Sequence, residues 1–84
     1  MADPTRALLR ALADSLDGQF REAPMTQRLA DAQTLVVADA MFGPGTYSEL
    51  AERRLLDKLP PILPADTRDT YAQRLRLIAE EVAA

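Results

Sequence analysis

Residues 35–42 read Leu-Val-Val-Ala-Asp-Ala-Met-Phe, an apolar run broken by a single carboxylate. The flanking sequence is typical of a helix, and a helix with this sequence carries apolar side chains on both faces. A surface helix of a globular protein has one apolar stripe and one solvated face. We therefore expect residues 35–42 to belong either to the central helix of the fold or to a helix that binds a second protein.

Segments containing proline or glycine divide the chain at residues 21–24, 43–45 and 60–64. Proline inside a helix costs about 3 kcal/mol and disfavours helical geometry in the residue before it, so these segments mark helix ends. Between them the sequence predicts four helices, at about residues 4–21, 26–42, 47–59 and 67–83. Because short connections favour antiparallel neighbours, the predicted fold class is all-α, a small up-down four-helix bundle that forms a single helical domain over residues 1–84.

The starts of the first and third helices carry local signals. Asp3 as N-cap with Pro4 at the first helical position is a favoured combination. Thr46 and Glu49 have the spacing of a capping box, in which each side chain binds an exposed backbone N–H of the other residue. The first helix is amphipathic, and one apolar arc contains Leu8, Leu9, Leu12, Ala13, Leu16 and Phe20.

The second helix has a main apolar arc and a smaller stripe on the opposite side. The main arc contains Leu29, Ala30, Val36, Val37, Ala40 and Met41, and the opposite stripe contains Leu35 and Phe42. Gln33 falls in the middle of the main arc, and a buried amide without a partner costs about 1–3 kcal/mol. Asp39 is expected at the rim, paired with an arginine. The sequence leaves open whether Gln33 and Asp39 are satisfied within the monomer or specify an assembly.

The composition excludes several kinds of chemistry. The chain has no cysteine and no histidine, so it lacks thiolate nucleophiles, the commonest general base and the softer metal ligands. Its carboxylates show neither a catalytic pair nor a metal-ligand spacing. We therefore expect no catalytic, cofactor-binding or metal-binding residues, and a protein that is not an enzyme.

The net charge of -3 is spread evenly along the chain, without the basic stripe that nucleic-acid binding usually requires. The N-terminus lacks the pattern of a signal peptide, and no stretch approaches the roughly 18 apolar residues of a membrane span. We expect a cytoplasmic protein that binds neither membranes nor metals. Nine arginines against the single Lys58 are typical of GC-rich codon usage, which suggests a bacterial source.

These observations favour a non-enzymatic helical protein–protein interaction module: a small accessory or adaptor subunit, or a self-associating bundle. A chain of this size has a thin core, so a protein partner or homo-oligomer that covers leftover apolar surface matters for its stability. The expected interface consists of Leu35, Ala38, Asp39, Phe42 and Leu77.

A small DNA-binding regulator or antitoxin is the alternative. The stretch Ser48-Glu49-Leu50-Ala51-Glu52-Arg53 resembles the first helix of bacterial helix-turn-helix domains. Residues 60–65 are longer than the three- or four-residue turn of that motif, so any such motif here is degenerate. The candidate nucleic-acid contacts are Arg53, Arg54, Arg68, Arg74 and Arg76.

Overall fold

The computed structural model of the chain describes residues 3–82. Four helices account for most of this part of the chain: α1 (Thr5–Asp17), α2 (Gln27–Phe42), α3 (Thr46–Lys58) and α4 (Arg68–Glu81). The prediction of a small all-α four-helix bundle is confirmed. Residue 83, which the sequence assigned to the fourth helix, lies outside the described residues.

The central helix of the bundle is α1. It packs against each of the other three helices, whereas α4 packs against α1 alone. Four leucines and one alanine of α1 are fully buried: Leu8, Leu9, Leu12, Ala13 and Leu16. Of the two alternatives for residues 35–42, the central helix of the fold is therefore wrong, and a helix that binds a second protein stays a prediction. The physical reason is that the leucine stripe of α1 offers more apolar area than α2, whose buried positions hold only Ala30, Thr34, Val37 and Ala38.

Two arginines join α1 and α4, one at each end of the helix pair. Arg6, near the start of α1, donates to the carbonyl oxygens of Ala79 (3.0 Å) and Val82 (2.7 Å) at the end of α4. Arg68, the first residue of α4, donates to the carbonyl oxygen of Leu16 (2.8 Å) at the end of α1. The last carbonyls of a helix lack partners within it and carry the negative end of its dipole. The two guanidinium groups satisfy these carbonyls and show that α1 and α4 run antiparallel.

The first helix ends at Asp17, four residues earlier than predicted. Phe20 has a positive φ of 52° and is 72% exposed, so its expected place on the apolar arc is wrong. The cause is a connection between the α1–α2 loop and the start of α4. Three backbone hydrogen bonds of 2.9 Å form this connection. The N–H of Met25 donates to the carbonyl oxygen of Asp66, the N–H of Arg68 to that of Ala23, and the N–H of Asp69 to that of Arg21. These bonds fix the loop in a non-helical course.

The third helix begins at Thr46, with Gly45 as its N-cap. Gly45 has a φ of 135°, a conformation that residues with a Cβ rarely adopt, and no side chain caps the helix. The predicted capping box of Thr46 and Glu49 is therefore absent, because Thr46 is already the first helical residue. A capping box forms instead at α4, where Thr67 and Thr70 bind each other's backbone N–H groups.

The buried face of α2 is rotated from the predicted one: Ala30 and Val37 are buried as expected, but other members of the predicted arc are not. Val36 and Met41, assigned to the main apolar arc, are 55% and 41% exposed. Thr34 is fully buried instead, and its hydroxyl has no hydrogen-bond partner. The rotation of α2 follows from its contacts with the neighbouring helices, which are described below.

Candidate interaction surface

The exposed apolar side chains of residues 3–82 are concentrated in one hairpin. Nine large hydrophobic side chains are exposed, and six of them lie between residues 35 and 50 on α2 and α3. These six are Leu35, Val36, Met41, Phe42, Tyr47 and Leu50. Single exposed apolar residues are normal on protein surfaces, but six of nine within 16 consecutive residues indicate that the α2–α3 hairpin differs from the rest of the surface.

Three of these side chains line one groove where α2 meets α3. Phe42, Tyr47 and Leu50, which we call the corner groove, are 40%, 77% and 55% exposed. Pro4 at the start of α1 and Arg54 on α3 complete its walls together with Ala51. The tight turn at residues 43–45, with positive φ at both glycines, brings the last residue of α2 next to the first turn of α3.

Leu35 lies on α2 outside this groove, on the same side of the helix as Phe42. It is 46% exposed and precedes Phe42 by one heptad, so both side chains lie on the same stripe of the helix. Leu35, Phe42, Tyr47 and Leu50 are called the corner band below. The sequence analysis did not identify Tyr47 or Leu50 as interface residues, and Leu50 appeared there only in the stretch that resembles a helix-turn-helix domain. Their three-residue spacing on one helix face was the available signal.

The other three expected interface residues are not part of the corner band. Ala38 is fully buried, and Asp39 is partly buried. Leu77 is 59% exposed but belongs to α4, which does not pack against α2. The structure therefore brings Leu35 and Phe42 together and leaves Leu77 on a separate surface.

The two polar residues of α2 that the sequence left open, Gln33 and Asp39, each have a hydrogen-bond partner within the chain. Asp39 accepts a hydrogen bond from the hydroxyl of Ser48 on α3, so its expected pairing with an arginine is wrong. The side-chain carbonyl of Gln33 accepts a hydrogen bond from the hydroxyl of Ser15 on α1. Because these bonds attach two edges of α2 to neighbouring helices, they set its rotation and leave Val36 outside.

The five arginines of the DNA-binding alternative are divided between α3 and α4, two helices that do not pack against each other. Arg53 is exposed, and Arg54 forms an ion pair with Asp3 at 3.3 Å in which both side chains are half exposed. Arg68 donates to the end of α1, as described above. The structure does not gather these side chains into one basic surface.

The remaining two arginines of that set, Arg74 and Arg76, are ion-paired on α4. Arg74 pairs with Asp66 and lies 5.2 Å from the ring centre of Tyr71. Arg76 donates to Asp14 (2.8 Å) and Asp17 (2.6 Å) on α1. Its hydrogen bonds lower the pKa of Asp17 below the ordinary value, and these carboxylates raise the pKa of Arg76.

A second concave surface lies at the opposite end of α1, lined by residues 18–23 and Asp69. Arg21 pairs with Asp69 at 2.9 Å, and Arg68 lies 6.0 Å from the ring centre of Phe20. Several backbone groups there are bound within the chain, including Ala23 N–H to the carbonyl of Phe20. This surface mixes charged and apolar groups, so the corner groove is the more apolar of the two.

Among residues 3–82, no helix combines the length and hydropathy needed to cross a membrane. The same residues contain no cluster of three or more carboxylate side chains placed to hold a metal ion. Comparisons of the chain with known protein families, with curated proteins and with solved structures found no match.

Proposed function

We propose that the protein is a non-enzymatic helical interaction module, a small accessory or adaptor subunit or self-associating bundle, that binds another protein chain through the corner band. The observation that carries this proposal is the clustering of partly exposed Phe42, Tyr47 and Leu50 in one groove. Contiguous apolar patches on small proteins are often interaction sites, whereas isolated exposed apolar residues need no explanation. Tyrosine and phenylalanine are also enriched in protein interfaces.

The energy available from the corner band limits the affinity. Full burial of a large apolar side chain stabilises a complex by about 1.5–3 kcal/mol. Leu35, Phe42 and Leu50 are already roughly half buried, whereas Tyr47 is 77% exposed. Covering the rest contributes on the order of 4–6 kcal/mol, against an association cost of at least about 4 kcal/mol. A partner must therefore add contacts around the groove, and each groove side chain has a measurable effect on binding.

The proposal is tested by affinity capture with the full chain and three exposed-site variants. Tyr47→Glu and Leu50→Glu place a charge in the corner groove, and Leu77→Glu places the same charge on α4 at a matched exposure of 59% against 55% for Leu50. We expect the wild type and Leu77→Glu to retain the same polypeptide in equal amounts. The two groove variants, Tyr47→Glu and Leu50→Glu, should retain at least tenfold less of it. Equal retention by all four chains, or equal loss in the control, contradicts the proposal.

We propose that the protein is cytoplasmic, a compartment in which disulfides are rare and with which a chain without cysteine is compatible. DNA binding remains the second hypothesis, and the internal pairing of Arg68, Arg74 and Arg76 gives it no support. A duplex mobility-shift titration at increasing salt tests it, because phosphate contacts weaken steeply as the salt concentration rises.

A further inference from the structure

We propose that the occupant of the corner band is a second copy of this chain, bound across a two-fold axis. The inference rests on the proposed function and specifies its partner. A two-fold interface uses the same patch on both subunits, so the patch must be complementary to itself. The charge and the area of the corner band both satisfy this requirement.

The charge argument concerns the groups that meet near the axis. Identical residues approach each other there, so a patch of one charge would repel its copy. All four residues of the corner band are uncharged, and Arg54 in the groove wall is paired with Asp3 at 3.3 Å. The carboxylate between Leu35 and Phe42, that of Asp39, is partly buried and accepts a hydrogen bond from Ser48. The groove is therefore neutral although the chain carries a net charge of -3. Repulsion between charges elsewhere on the two copies is screened over about 8 Å at physiological ionic strength.

The area argument concerns what a dimer needs. An aromatic side chain offers about 150–250 Å², so the exposed parts of the corner band, 40–77% of each side chain, present on the order of 400 Å² of mainly apolar surface. The smallest standard interfaces bury roughly 600 Å² per partner, of which about 60% is apolar. One copy thus supplies about the apolar area that the lower end of this range requires. The expected dimer is consequently weak and forms at micromolar to millimolar concentration.

A second copy also explains why Tyr47 remains so exposed. Its ring is 77% exposed at the edge of a groove formed by Phe42 and Leu50. Across a two-fold axis, the Tyr47 ring of one copy lies against the groove of the other, and the reverse contact is made at the same time. Its hydroxyl stays at the rim, where water can bind it.

The test is sedimentation equilibrium of the full chain between 1 μM and 1 mM. The wild type should rise from the monomer mass of 9.2 kDa toward twice that value. Tyr47→Glu and Leu50→Glu should each move the midpoint to at least tenfold higher concentration, and Leu77→Glu should leave it unchanged. Circular dichroism establishes that all variants are folded, which their exposed positions favour. Raising the salt should leave the midpoint unchanged or lower it, because the contact is apolar.

A wild-type chain that keeps the monomer mass at 1 mM overturns the inference. It is also overturned if Leu77→Glu weakens the dimer as much as Leu50→Glu, since the copies then meet through another surface. If the chain is monomeric but captures a different polypeptide, and Tyr47→Glu abolishes that capture, the occupant of the corner band is another protein. The inference is then wrong, whereas the proposed function is supported. A monomeric chain without such capture removes both proposals.

Discussion

Replacing Arg68 by methionine tests how α1 and α4 are held together. Methionine keeps the unbranched apolar part of the side chain and removes the donors that bind the carbonyls of Leu16 (2.8 Å) and Ser15 (3.3 Å). A hydrogen bond from a charged group contributes about 1.5–3 kcal/mol, and a cation at a helix C-terminus about 0.3–1 kcal/mol. Because the side chain is partly exposed and its second bond is long, we expect a total loss of about 2 kcal/mol.

For a domain of this size, that loss corresponds to a decrease in Tm of roughly 8–16 °C, measured by thermal circular dichroism and checked by urea unfolding. Arg10→Met is the matched control, because Arg10 lies on the exposed side of α1. Arg68→Lys should recover part of the loss, since it restores the charge without the planar donor geometry. If Arg68→Met is no less stable than Arg10→Met, the guanidinium group of Arg68 does not stabilise the end of α1, and the inference that it holds α1 and α4 together is wrong.

Three further predictions concern single buried or paired groups. Thr34→Val should stabilise the chain by about 1 kcal/mol, seen as a higher Tm, because it removes a buried hydroxyl without a partner; a lower Tm would show that the hydroxyl is bonded. Hydrogen bonds from Arg76 lower the pKa of Asp17 in the folded chain below its value in the unfolded chain. The stability that Asp17 contributes is therefore fully present above the unfolded pKa and is lost as the pH falls through the lower pKa of the folded chain. Urea titrations from pH 5 to pH 2 should show a smaller loss in Asp17→Asn than in the wild type, and equal slopes refute this. Burial raises the pKa of Tyr71 to about 12, so ultraviolet titration should show a step near pH 12 that Tyr71→Phe abolishes, and the stability should fall as the pH rises from 10 to 12. If Tyr71→Phe instead removes a step near pH 10, the prediction is wrong.

Helix positions were predictable where local chemistry alone determines them. Thr26 lies one residue before α2 and caps it, because its hydroxyl accepts a hydrogen bond from the N–H of Leu29. Residues 60–64 separate α3 from α4, since their prolines cannot continue a helix. At the start of α1 the prediction is wrong by one residue: Pro4, not Asp3, is the N-cap and the helix begins at Thr5, although Asp3 still accepts a hydrogen bond from the N–H of Thr5 (3.0 Å).

The errors occurred where contacts distant in sequence determine the conformation. Nothing near Phe20 in the sequence shows that the loop will bond to the backbone of residues 66–69, and those bonds end α1 early. The rotation of α2 depends on Ser15 and Ser48, which lie on two other helices. A helical wheel counts hydrophobicity within one element, so it placed Val36 inside and missed Thr34.

The candidate site was predictable in part for the same reason. Leu35 and Phe42 are surplus apolar residues on their own helix, so the sequence of α2 alone identifies them. Tyr47 and Leu50 become part of the same surface only when the turn at residues 43–45 folds α3 back beside the end of α2. To predict an interface that spans two helices, the geometry of the turn between them must be known. The glycines permit this geometry but do not specify it.

The unequal packing of the two sides of α1 explains why the exposed apolar surface lies on the hairpin. On the α4 side, α1 buries leucines against Tyr71 and Leu75, and Arg6 and Arg68 bind both helix ends. On the other side, α2 presents small residues to the core, so its larger side chains remain outside. Within residues 3–82, no further helix covers the exposed apolar side chains of the α2–α3 hairpin. A second protein surface over the corner band would supply the missing layer, and its binding free energy would stabilise the hairpin that the isolated chain packs least well.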